Sequence, residues 1–301
     1  MDIARISPIS PEDFLSTFIE PNRPVVVQDA LVDWALAERW TPETLARDFG
    51  TETVPIYNKY FDLAALSTLE EYLEKEFDAP QRYQNIERPY VRWYTKLREV
   101  DFLWADSLFE RFMDRWEPLS FLPKSGYVLP CAMPPRELDP RRDLFPAKGL
   151  FISGAGARTG LHVDPWGSDA VLCQLFGKKR WRMFSPALAV DLMVRGQCVD
   201  LESPDLSRFP RATMVKPTFE FELDVGEVVY VPHGWMHHVT TVTPSISITW
   251  NFVHAATKQA LLRWIDEDQG TQVDEEIVRF FLGGLEGPRS RVGDFIRALE
   301  T

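Results

Sequence analysis

The sequence predicts a mainly β protein with helices on both flanks, and three observations lead to this prediction. Between residues 149 and 254, short apolar runs rich in β-branched residues alternate with turn residues, as in a β-sandwich or β-barrel. Before and after this region, apolar residues recur at helical spacing. The 301 residues are 45% apolar and include 20 Phe and 10 Trp, which is enough for a substantial core.

This pattern divides one domain into three segments. We expect N-terminal helices with accessory strands over 1–148, the β core over 149–254 and C-terminal helices over 255–301. The sequence contains no internal repeat, low-complexity tract or obvious linker. Exposed apolar faces on the C-terminal helices could form a homodimer contact.

The first fifty residues show a helix, a strand and a helix in turn. "SPEDFLSTFIE" (10–20) predicts a short amphipathic helix with Ser10 as N-cap and Pro11 at its first position. "RPVVVQDA" (23–30) is rich in β-branched residues and predicts a buried strand. "TPETLARDFG" (41–50) predicts a helix that begins at a Thr-Pro pair and ends at its glycine.

The next hundred residues are less regular. From 67 to about 115 the composition is helical and charged, and "ERPYVRWYT" (87–95) predicts a strand within this stretch. The segment 120–148 is rich in proline and lacks periodicity, which predicts an ordered excursion over the surface.

The β core is predicted from five runs with turn residues between them, and helices follow it. The runs are "GLFISGAG" (149–156), "DAVLCQLFGKKRWRMFSP" (169–186), "TFEFELDVGEVVYVP" (218–232), "HHVTTV" (237–242) and "SISITWNFV" (245–253). "DLSRFPRA" (205–212) predicts a loop or helical insert. "ATKQALLRWIDED" (256–268) and "DEEIVRFFLGGL" (274–285) predict the C-terminal helices.

Charge and cysteine content restrict the classes of partner and compartment. A formal net charge of -12 argues against nucleic-acid binding, although "GKKRWR" (177–182) is a local basic stretch. Cys131, Cys173 and Cys198 are odd in number and form no C-x-x-C pair, so we expect inert thiols in a reducing compartment. The chain has no run of about 18 apolar residues. We therefore expect a cytoplasmic protein without a membrane segment.

A histidine and a carboxylate stand two residues apart in "TGLHVDPWGSDA" (159–170). Side chains at this spacing share one face of an extended strand, so His162 and Asp164 would lie side by side. One further nitrogen ligand would complete a 2-His-1-carboxylate triad, which leaves coordination positions open on Fe(II). All five histidines of the chain fall between 162 and 254, which favours a metal site over an accidental pair.

"PHGWMHHV" (232–239) offers the third ligand. His237 and His238 begin a strand and must face opposite ways, and periodicity alone does not choose between them. His233 is expected in a turn and His254 at a strand end, and neither is expected to have a role.

A buried lysine and a polar stripe provide a second signal. In "KKRWRMF", alternation places Lys179 on an apolar face, where an ammonium group needs an anionic partner. In "SISITWNFV", Ser247, Thr249 and Asn251 form a small polar face. Together these residues could hold a small carboxylate, whereas the alternative is a solvated face beside a lysine that reaches solvent.

These segments resemble the JmjC or cupin-like Fe(II)- and 2-oxoglutarate-dependent oxygenases, in particular the hydroxylase group. "GLHVDPWGSDAVLCQLFGKKRWRMFSP", "VGEVVYVPHGWMHHV" and "ISITWNF" are similar to that family's metal-strand, lysine-strand, second-histidine and closing-strand motifs, in order. "RPVVVQDALVDWALAERWTPETL" resembles the N-terminal segment of the same proteins. The resemblance covers roughly residues 10–255 and implies a double-stranded β-helix, which is a jelly-roll or cupin-like core.

The resemblance also implies the metal ligands and the cosubstrates. His162, Asp164 and His237 match the family's iron ligands, since the second histidine of the family directly follows the "W-x" of "GWMH". Lys179 matches the lysine that pairs with the distal carboxylate of 2-oxoglutarate, and Thr249 matches the hydroxyl of the closing strand. Fe(II), 2-oxoglutarate and O2 are the cofactor and cosubstrates that the family uses.

The same resemblance implies three further contacts to the cosubstrate, and the sequence departs from the family's pattern at two positions. Tyr90, Thr159 and Asn251 match additional cosubstrate contacts. Leu172 stands where the lysyl hydroxylases of the family have an asparagine, which puts one polar contact to the cosubstrate in doubt. Met236 replaces the second tryptophan of the common "WW" before the second histidine.

The implied function is hydroxylation of a C–H bond with decarboxylation of 2-oxoglutarate to succinate. The acidic composition and the aromatic residues Trp166 and Trp235 favour a peptide or protein side chain as substrate. A small metabolite or free amino acid is the alternative, and demethylation of N-methyl-lysine would use the same iron chemistry. A hydroxylase of tRNA is disfavoured by the net charge. A cupin-like scaffold that binds metal or ligand without turnover is the non-enzymatic alternative.

Overall fold

The computed structural model of the chain describes residues 2–77, 88–94, 111–112, 115–129, 148–267, 272–282, 285 and 287–299. The strands are β1 Arg5–Ile6, β2 Val25–Val27, β3 Thr53–Tyr57, β4 Leu63–Thr68, β5 Tyr90–Tyr94, β6 Tyr127–Leu129, β7 Lys148–Ser153, β8 Arg158–His162, β9 Asp169–Phe176, β10 Lys179–Phe184, β11 Met193–Val194, β12 Gln197–Cys198, β13 Phe219–Leu223, β14 Val228–Val231, β15 Met236–Thr241 and β16 Ser245–His254.

Helical segments flank these strands at both ends of the chain and in the connections. They are Pro11–Phe14 with the π-helical Leu15–Ile19, Val32–Trp34, Leu36–Arg39, Pro42–Phe49, Leu69–Tyr72 with the π-helical Leu73–Phe77, Pro165–Gly167, Pro186–Leu188, Ala189–Leu192, Ala212–Met214, Ala255–Thr257, Lys258–Asp266, Gln272–Phe281 and Arg289–Ala298. Among the helices described here, none has the length and apolar composition that crossing a bilayer requires.

Two sheets form the centre of the molecule. The larger has the strand order β1-β2-β14-β9-β16-β7-β5-β3-β4, with β6 paired to β16, and the smaller has the order β13-β10-β15-β8. Leu172 and Val229 of the larger sheet share an apolar cluster with Trp181 and Val239 of the smaller one, so the sheets pack face to face. The prediction of a mainly β fold with a jelly-roll core and flanking helices is therefore confirmed.

The strand β16 shows how alternation builds the two sides of the large sheet. Ile248 and Trp250 point into the main core, which contains the apolar side chains of the flanking helices. Ser247 and Thr249 point to the opposite side, toward the small sheet, and both are buried. A polar stripe therefore lies inside the molecule, between the two sheets.

The strand β10 separates buried from outward side chains in the same way. Lys179 and Trp181 are buried, while Arg180 and Arg182 face outward. Arg180 forms an ion pair of 3.0 Å with Glu222 on the neighbouring β13. The alternation predicted for this strand is confirmed.

The N-terminal elements form as predicted, with shorter spans. The Ser10 side chain accepts a hydrogen bond from the Asp13 amide at 3.1 Å, which caps the first helix. The predicted strand at 23–30 is the buried β2. Thr41 caps the helix Pro42–Phe49 by accepting from the Thr44 amide at 3.2 Å.

The middle of the chain contains strands that the sequence did not predict. The hairpin of β3 and β4 adds an edge to the large sheet, although "LAALST" in β4 lacks the β-branched enrichment that marks strands. Within the segment predicted as a surface excursion, β6 pairs with β16. Residues 130–147 of that segment, including Cys131, and residues 87 and 95 at the ends of the predicted strand lie outside the described residues.

The C-terminal helices form, and described apolar side chains of two of them are buried. Leu261, Trp264 and Ile265 of Lys258–Asp266 and Val278 of Gln272–Phe281 are buried in the main core. These side chains pack against the chain's own β core, and the homodimer contact through these helices stays a prediction.

Gly177 lies in the turn between β9 and β10, and its substitution tests how closely this turn packs against Pro244. Its φ is +68°, and a Cβ at this position would lie 1.8 Å from the Pro244 carbonyl oxygen. Gly226 has a φ of +89° with no atom within 4 Å of a Cβ. We expect Gly177→Ala to lower the free energy of unfolding by more than the roughly 1–2 kcal/mol that a left-handed alanine costs in Gly226→Ala. Denaturant unfolding measures both, and equal losses would contradict the steric argument.

Candidate metal centre

A cavity of about 1170 Å³ lies between the two sheets. The predicted site residues that line it are His162, Asp164, Trp166, Thr159, Lys179, His237, Thr249 and Asn251. Residues from the hairpin of β3 and β4, from β5 and from the C-terminal helices complete the wall.

Three potential metal ligands meet in this cavity. One ligand atom each from His162, Asp164 and His237 lies within 4.8 Å of the others. His162 ends β8 and stands directly opposite His237 in the antiparallel pairing with β15. Asp164 follows two residues later with an extended backbone. The sequence separation of 75 between the histidines is therefore closed by one strand pairing.

The hydrogen bonds of the two imidazoles leave one nitrogen of each ring for a metal. Nδ1 of His162 lies 2.9 Å from the Gly160 carbonyl oxygen, and Nδ1 of His237 lies 3.2 Å from the Trp235 carbonyl oxygen. A carbonyl oxygen only accepts, so each Nδ1 carries the proton and donates it. The lone pair is then on Nε2 in both rings, as ligation requires.

The surroundings of the Asp164 carboxylate favour binding of a cation. Its Oδ2 atom is buried, has no hydrogen-bond partner among the described residues and lies 4.0 Å from Nε2 of His237. A buried carboxylate oxygen without a donor is costly, and a bound cation would offset this cost. Burial, followed by the effect of His237, holds the pKa of His162 well below its usual value, so this ring is neutral and able to bind metal.

The neighbouring His238 lies on the other side of β15. Its Nε2 is 4.0 Å from Oε1 of Glu202, and burial lowers its pKa to about 4. Of the two histidines that periodicity left open, the strand pairing therefore places His237, and not His238, beside His162.

Aromatic rings support both candidate ligands. The Trp181 ring stacks on His237 with centroids 5.5 Å apart. The Phe61 ring meets His162 edge-on at 4.8 Å. Phe61 lies in the turn between β3 and β4, and no signal in its own sequence neighbourhood indicated a position next to the metal site.

Lys179 is buried in the cavity wall without a carboxylate beside it. Its Nζ donates to Ser247 Oγ at 2.5 Å, and among the described residues no carboxylate oxygen lies within 4.0 Å. Burial lowers its pKa to about 7. Thr249 lines the same cavity, and its hydroxyl donates to the Val171 carbonyl at 2.8 Å. Leu172, the departure noted in the sequence, makes this part of the wall apolar.

The remaining predicted cosubstrate contacts occupy different positions. Thr159 lines the cavity and donates to the Tyr90 hydroxyl at 3.3 Å. Tyr90 is not among the residues that line the cavity; it is buried behind two of them, stacked on Phe151 and bonded to Thr159. Asn251 lines the cavity and donates to Ser168 Oγ at 3.1 Å.

The two tryptophans predicted to contact substrate are placed apart. Trp166 lines the cavity next to Asp164, with a left-handed backbone (φ +63°) and its ring edge-on to Phe281 at 5.8 Å. Trp235 does not line the cavity, because its ring stacks on Phe219 and its Nε1 donates to the Asn22 carbonyl at 3.1 Å. This corrects the expectation of Trp235 as a substrate contact.

The two histidines without an expected role make defined contacts. The His233 amide and Nδ1 lie 2.8 and 3.0 Å from Oδ1 of the fully buried Asp169, and the His233 ring lines the cavity. His254 Nδ1 accepts from the Ala256 amide at 3.1 Å and caps the helical turn that follows.

A family model described as "Cupin-like domain" matches residues 11–258. "Arginine-specific demethylase JMJ22" of Arabidopsis thaliana is 25% identical over 296 residues, which is 90% of this chain and 50% of the relative. "2-oxoglutarate and iron-dependent oxygenase JMJD4" of Homo sapiens is 24% identical over 282 residues, or 88% of this chain and 64% of the relative.

A third relative is also named as a demethylase. "Lysine-specific demethylase 8" of Xenopus tropicalis is 25% identical over 251 residues, covering 79% of this chain and 50% of the relative. The chain thus spans between half and about two thirds of the length of these curated relatives.

The adjacent pair His237 and His238 gives a matched test of the candidate metal site. We expect His237→Ala to weaken binding of Co(II) or Fe(II) at least about tenfold, since it removes a ligand, and His238→Ala to leave it near wild type. Metal content per chain after anaerobic equilibrium dialysis measures both. Loss of metal in His238→Ala with retention in His237→Ala would refute the assignment.

Proposed function

This chain belongs to the cupin-like domain family, and from this premise we propose that it is an Fe(II)- and 2-oxoglutarate-dependent dioxygenase that hydroxylates a C–H bond of a peptide or protein side chain. Its relatives include proteins named as a 2-oxoglutarate and iron-dependent oxygenase and as demethylases. These names support oxidative chemistry at the candidate metal centre.

One observation carries the proposal. The cavity that contains the three ligand atoms of His162, Asp164 and His237 also contains the buried amine of Lys179, which has no carboxylate partner in the described part of the chain. A buried ammonium group is stable only if an anion compensates it. A cavity with a metal site and an uncompensated cation fits a metal-bound dicarboxylate.

In this proposal, His162, Asp164 and His237 hold Fe(II) and leave three positions open. When bound, Fe(II) with 2-oxoglutarate and O2 supplies the oxidation, which yields succinate and CO2 and transfers one oxygen atom to the substrate. The protein's own part is to keep both imidazoles in the Nδ1-protonated form and to exclude water with the rings of Trp181 and Phe61.

The cosubstrate is held by the polar side chains of the inner wall. Lys179 supplies the positive charge for the far carboxylate, and Thr249 supplies a hydroxyl next to it. Thr159, with Tyr90 behind it, and Asn251 are proposed as further polar contacts. The strand register supports this arrangement of the lysine relative to the candidate metal ligands. Lys179 pairs with Thr241, which lies four residues from His237 on β15.

The substrate is proposed to enter beside Trp166. The Trp166 ring lines the cavity and stands two residues after the candidate metal ligand Asp164. The chain carries a net charge of -12. A peptide or protein side chain is therefore the first candidate, and a small metabolite or free amino acid is the alternative. Demethylation of an N-methyl group is a second candidate reaction, because two of the relatives are named as demethylases.

Nucleic acid is not proposed as a partner. The three surface cations of "GKKRWR" are paired with carboxylates: Lys178 lies 2.9 Å from Asp224, Arg180 lies 3.0 Å from Glu222, and Arg182 lies 3.3 Å from Glu220. These pairs reduce the attraction of the stretch for a phosphate backbone.

We further propose a reducing, cytoplasmic environment. Neither Cys173 nor Cys198 is part of a disulfide, and burial raises the pKa of Cys198 to about 11, which leaves its thiol unreactive.

The first test is the binding of 2-oxoglutarate to the Fe(II)-loaded protein without oxygen. We expect a visible charge-transfer absorption band whose 2-oxoglutarate dependence shifts to at least about tenfold higher concentration in Lys179→Ala, because a charge-assisted contact is lost. Lys178→Ala is the control, since this neighbouring lysine is on the outer face. Bound iron without any band would favour the metal-binding scaffold over the oxygenase.

The pH dependence of binding follows from the pKa of Lys179. Burial lowers this pKa to about 7, so the amine of the free protein loses its proton above that pH, whereas pairing with a carboxylate needs the charged form. We expect the affinity for 2-oxoglutarate to fall, by up to about tenfold per pH unit, as the pH rises above about 7. Calorimetry in buffers of different ionisation enthalpy should show proton uptake in the wild type and none in Lys179→Met. A pH-independent affinity in the wild type would contradict this.

A further inference from the structure

The turn between β3 and β4 lies against the candidate metal centre. Phe61 of this turn meets the His162 ring edge-on with centroids 4.8 Å apart. Its φ of +68° is a left-handed conformation, which is unfavourable for a residue with a Cβ and persists only where neighbouring contacts fix it. The side-chain oxygen of Asn58 accepts from the amides of Tyr60 and Asp62 at 2.9 and 3.0 Å. These bonds close the turn, but they do not attach it to the rest of the molecule.

Ion pairs attach the turn to the loop that follows β12. Lys59 Nζ lies 2.9 Å from Oδ2 of Asp200 and 3.2 Å from Oε2 of Glu202. The Tyr60 hydroxyl donates to the same Asp200 oxygen at 2.6 Å. Burial by itself would raise the pKa of Asp200, but the hydrogen bonds from Tyr60 and Lys59 outweigh this effect and lower the pKa to about 2. Asp200 is therefore ionised at neutral pH. We call these four side chains the turn clamp.

The turn clamp also contacts β8, the strand that ends at His162. Glu202 Oε1 lies 2.7 Å from Nε of Arg158, the first residue of β8. Glu202 thus bridges the turn and this strand. The side chains of Lys59 and Asp200 are 12% and 21% exposed, so solvent screens their ion pair less than it screens a surface pair.

A series of hydrogen bonds leads from the backbone of Lys59 to the ring of His162. The Gly160 amide donates to the Lys59 carbonyl at 2.9 Å, and the Gly160 carbonyl accepts from Nδ1 of His162 at 2.9 Å. A Cβ at Gly160 would lie 2.9 Å from the Lys59 carbonyl oxygen, so the turn and β8 are in close contact. Displacement of the turn would therefore disturb both the ring that covers His162 and the strand that carries it.

We propose that Lys59 and Asp200 are positioning residues of the candidate metal centre, which hold Phe61 over His162 and slow the release of the metal. This inference rests on the proposed function, since it requires a metal ion at His162. The ion pair adds to the free energy needed to open the turn locally, whereas it supplies no ligand atom. Loss of the turn clamp should therefore speed metal release and leave the absorption spectrum of the bound metal unchanged.

The test is the rate at which Co(II) bound to the full chain transfers to EDTA, at concentrations where this rate no longer depends on EDTA. The visible absorption of the Co(II) protein follows the transfer. Lys59→Met should raise the rate roughly 3- to 30-fold, less than for a fully buried charged hydrogen bond because the pair is partly exposed. Lys59→Arg keeps the charge and should recover most of the wild-type rate.

Lys178→Met is the matched control. Lys178 also pairs with two carboxylates, Asp224 at 2.9 Å and Glu222 at 3.3 Å, but these pairs lie on the outer face of the small sheet. Its substitution should leave the release rate unchanged. Tyr60→Phe removes one hydrogen bond of the turn clamp and should raise the rate by a smaller factor than Lys59→Met. It takes the place of Lys59→Met if thermal unfolding shows that this variant does not fold.

A double variant tests whether the turn clamp acts through Phe61. Phe61→Ala should itself raise the release rate, because it uncovers His162. Lys59→Met should then add a smaller factor in Phe61→Ala than in the wild type, since both changes affect the same contact.

The outcomes separate this inference from the proposed function. An unchanged release rate in folded Lys59→Met, an equal rise in Lys178→Met or fully multiplicative effects with Phe61→Ala would overturn the role of the turn clamp, while Co(II) binding that depends on His237 upholds the metal centre. A wild-type chain that binds no Co(II) would overturn both. Release that depends on Lys59, in a protein whose Fe(II) form gives no absorption band with 2-oxoglutarate, would uphold the turn clamp and contradict the oxygenase.

Discussion

The antiparallel register between β8 and β15 is the constraint on which the site depends. It sets His162 directly opposite His237, while the neighbouring pairing of β10 with β15 sets Met183 opposite His237 and Lys179 opposite Thr241. A slip of one residue would turn every side chain of β15 to the other face. His238 would then face the cavity, and Val239 would leave the apolar cluster between the sheets.

The same register leaves charged groups inside the molecule that the described residues do not compensate. Asp164 Oδ2 has no hydrogen-bond donor, and Lys179 has no carboxylate partner. Each costs free energy in the ligand-free protein, and binding of a metal ion and an anion would offset this cost. The stability of the fold and the binding of these ligands would therefore be linked.

Segments outside the β core complete the wall around this centre. The turn between β3 and β4 places Phe61 against His162, and it is tied to the metal strand by the hydrogen bond from the Gly160 amide to the Lys59 carbonyl at 2.9 Å. On the other side, Trp166 packs against Phe281 of a C-terminal helix. The flanks thus orient residues next to the metal site as well as covering the core.

Much of the fold and the metal-site candidates were determined by local sequence. Alternation with a period of two placed Lys179 and the stripe of Ser247 and Thr249 inside, because strands of a packed sheet must bury one face. The spacing of His162 and Asp164 placed two candidate metal ligands side by side, because side chains two residues apart in an extended segment share one face.

Only the tertiary structure decided how the strands meet. Strand pairing brought His237 rather than His238 to His162 and turned Trp235 away to Phe219. Tertiary packing also buried apolar side chains of the C-terminal helices, such as Leu261 and Val278, in the main core. Local periodicity sets which side chains of one strand share a face, but contacts between strands far apart in the chain depend on register and packing, which no single segment encodes.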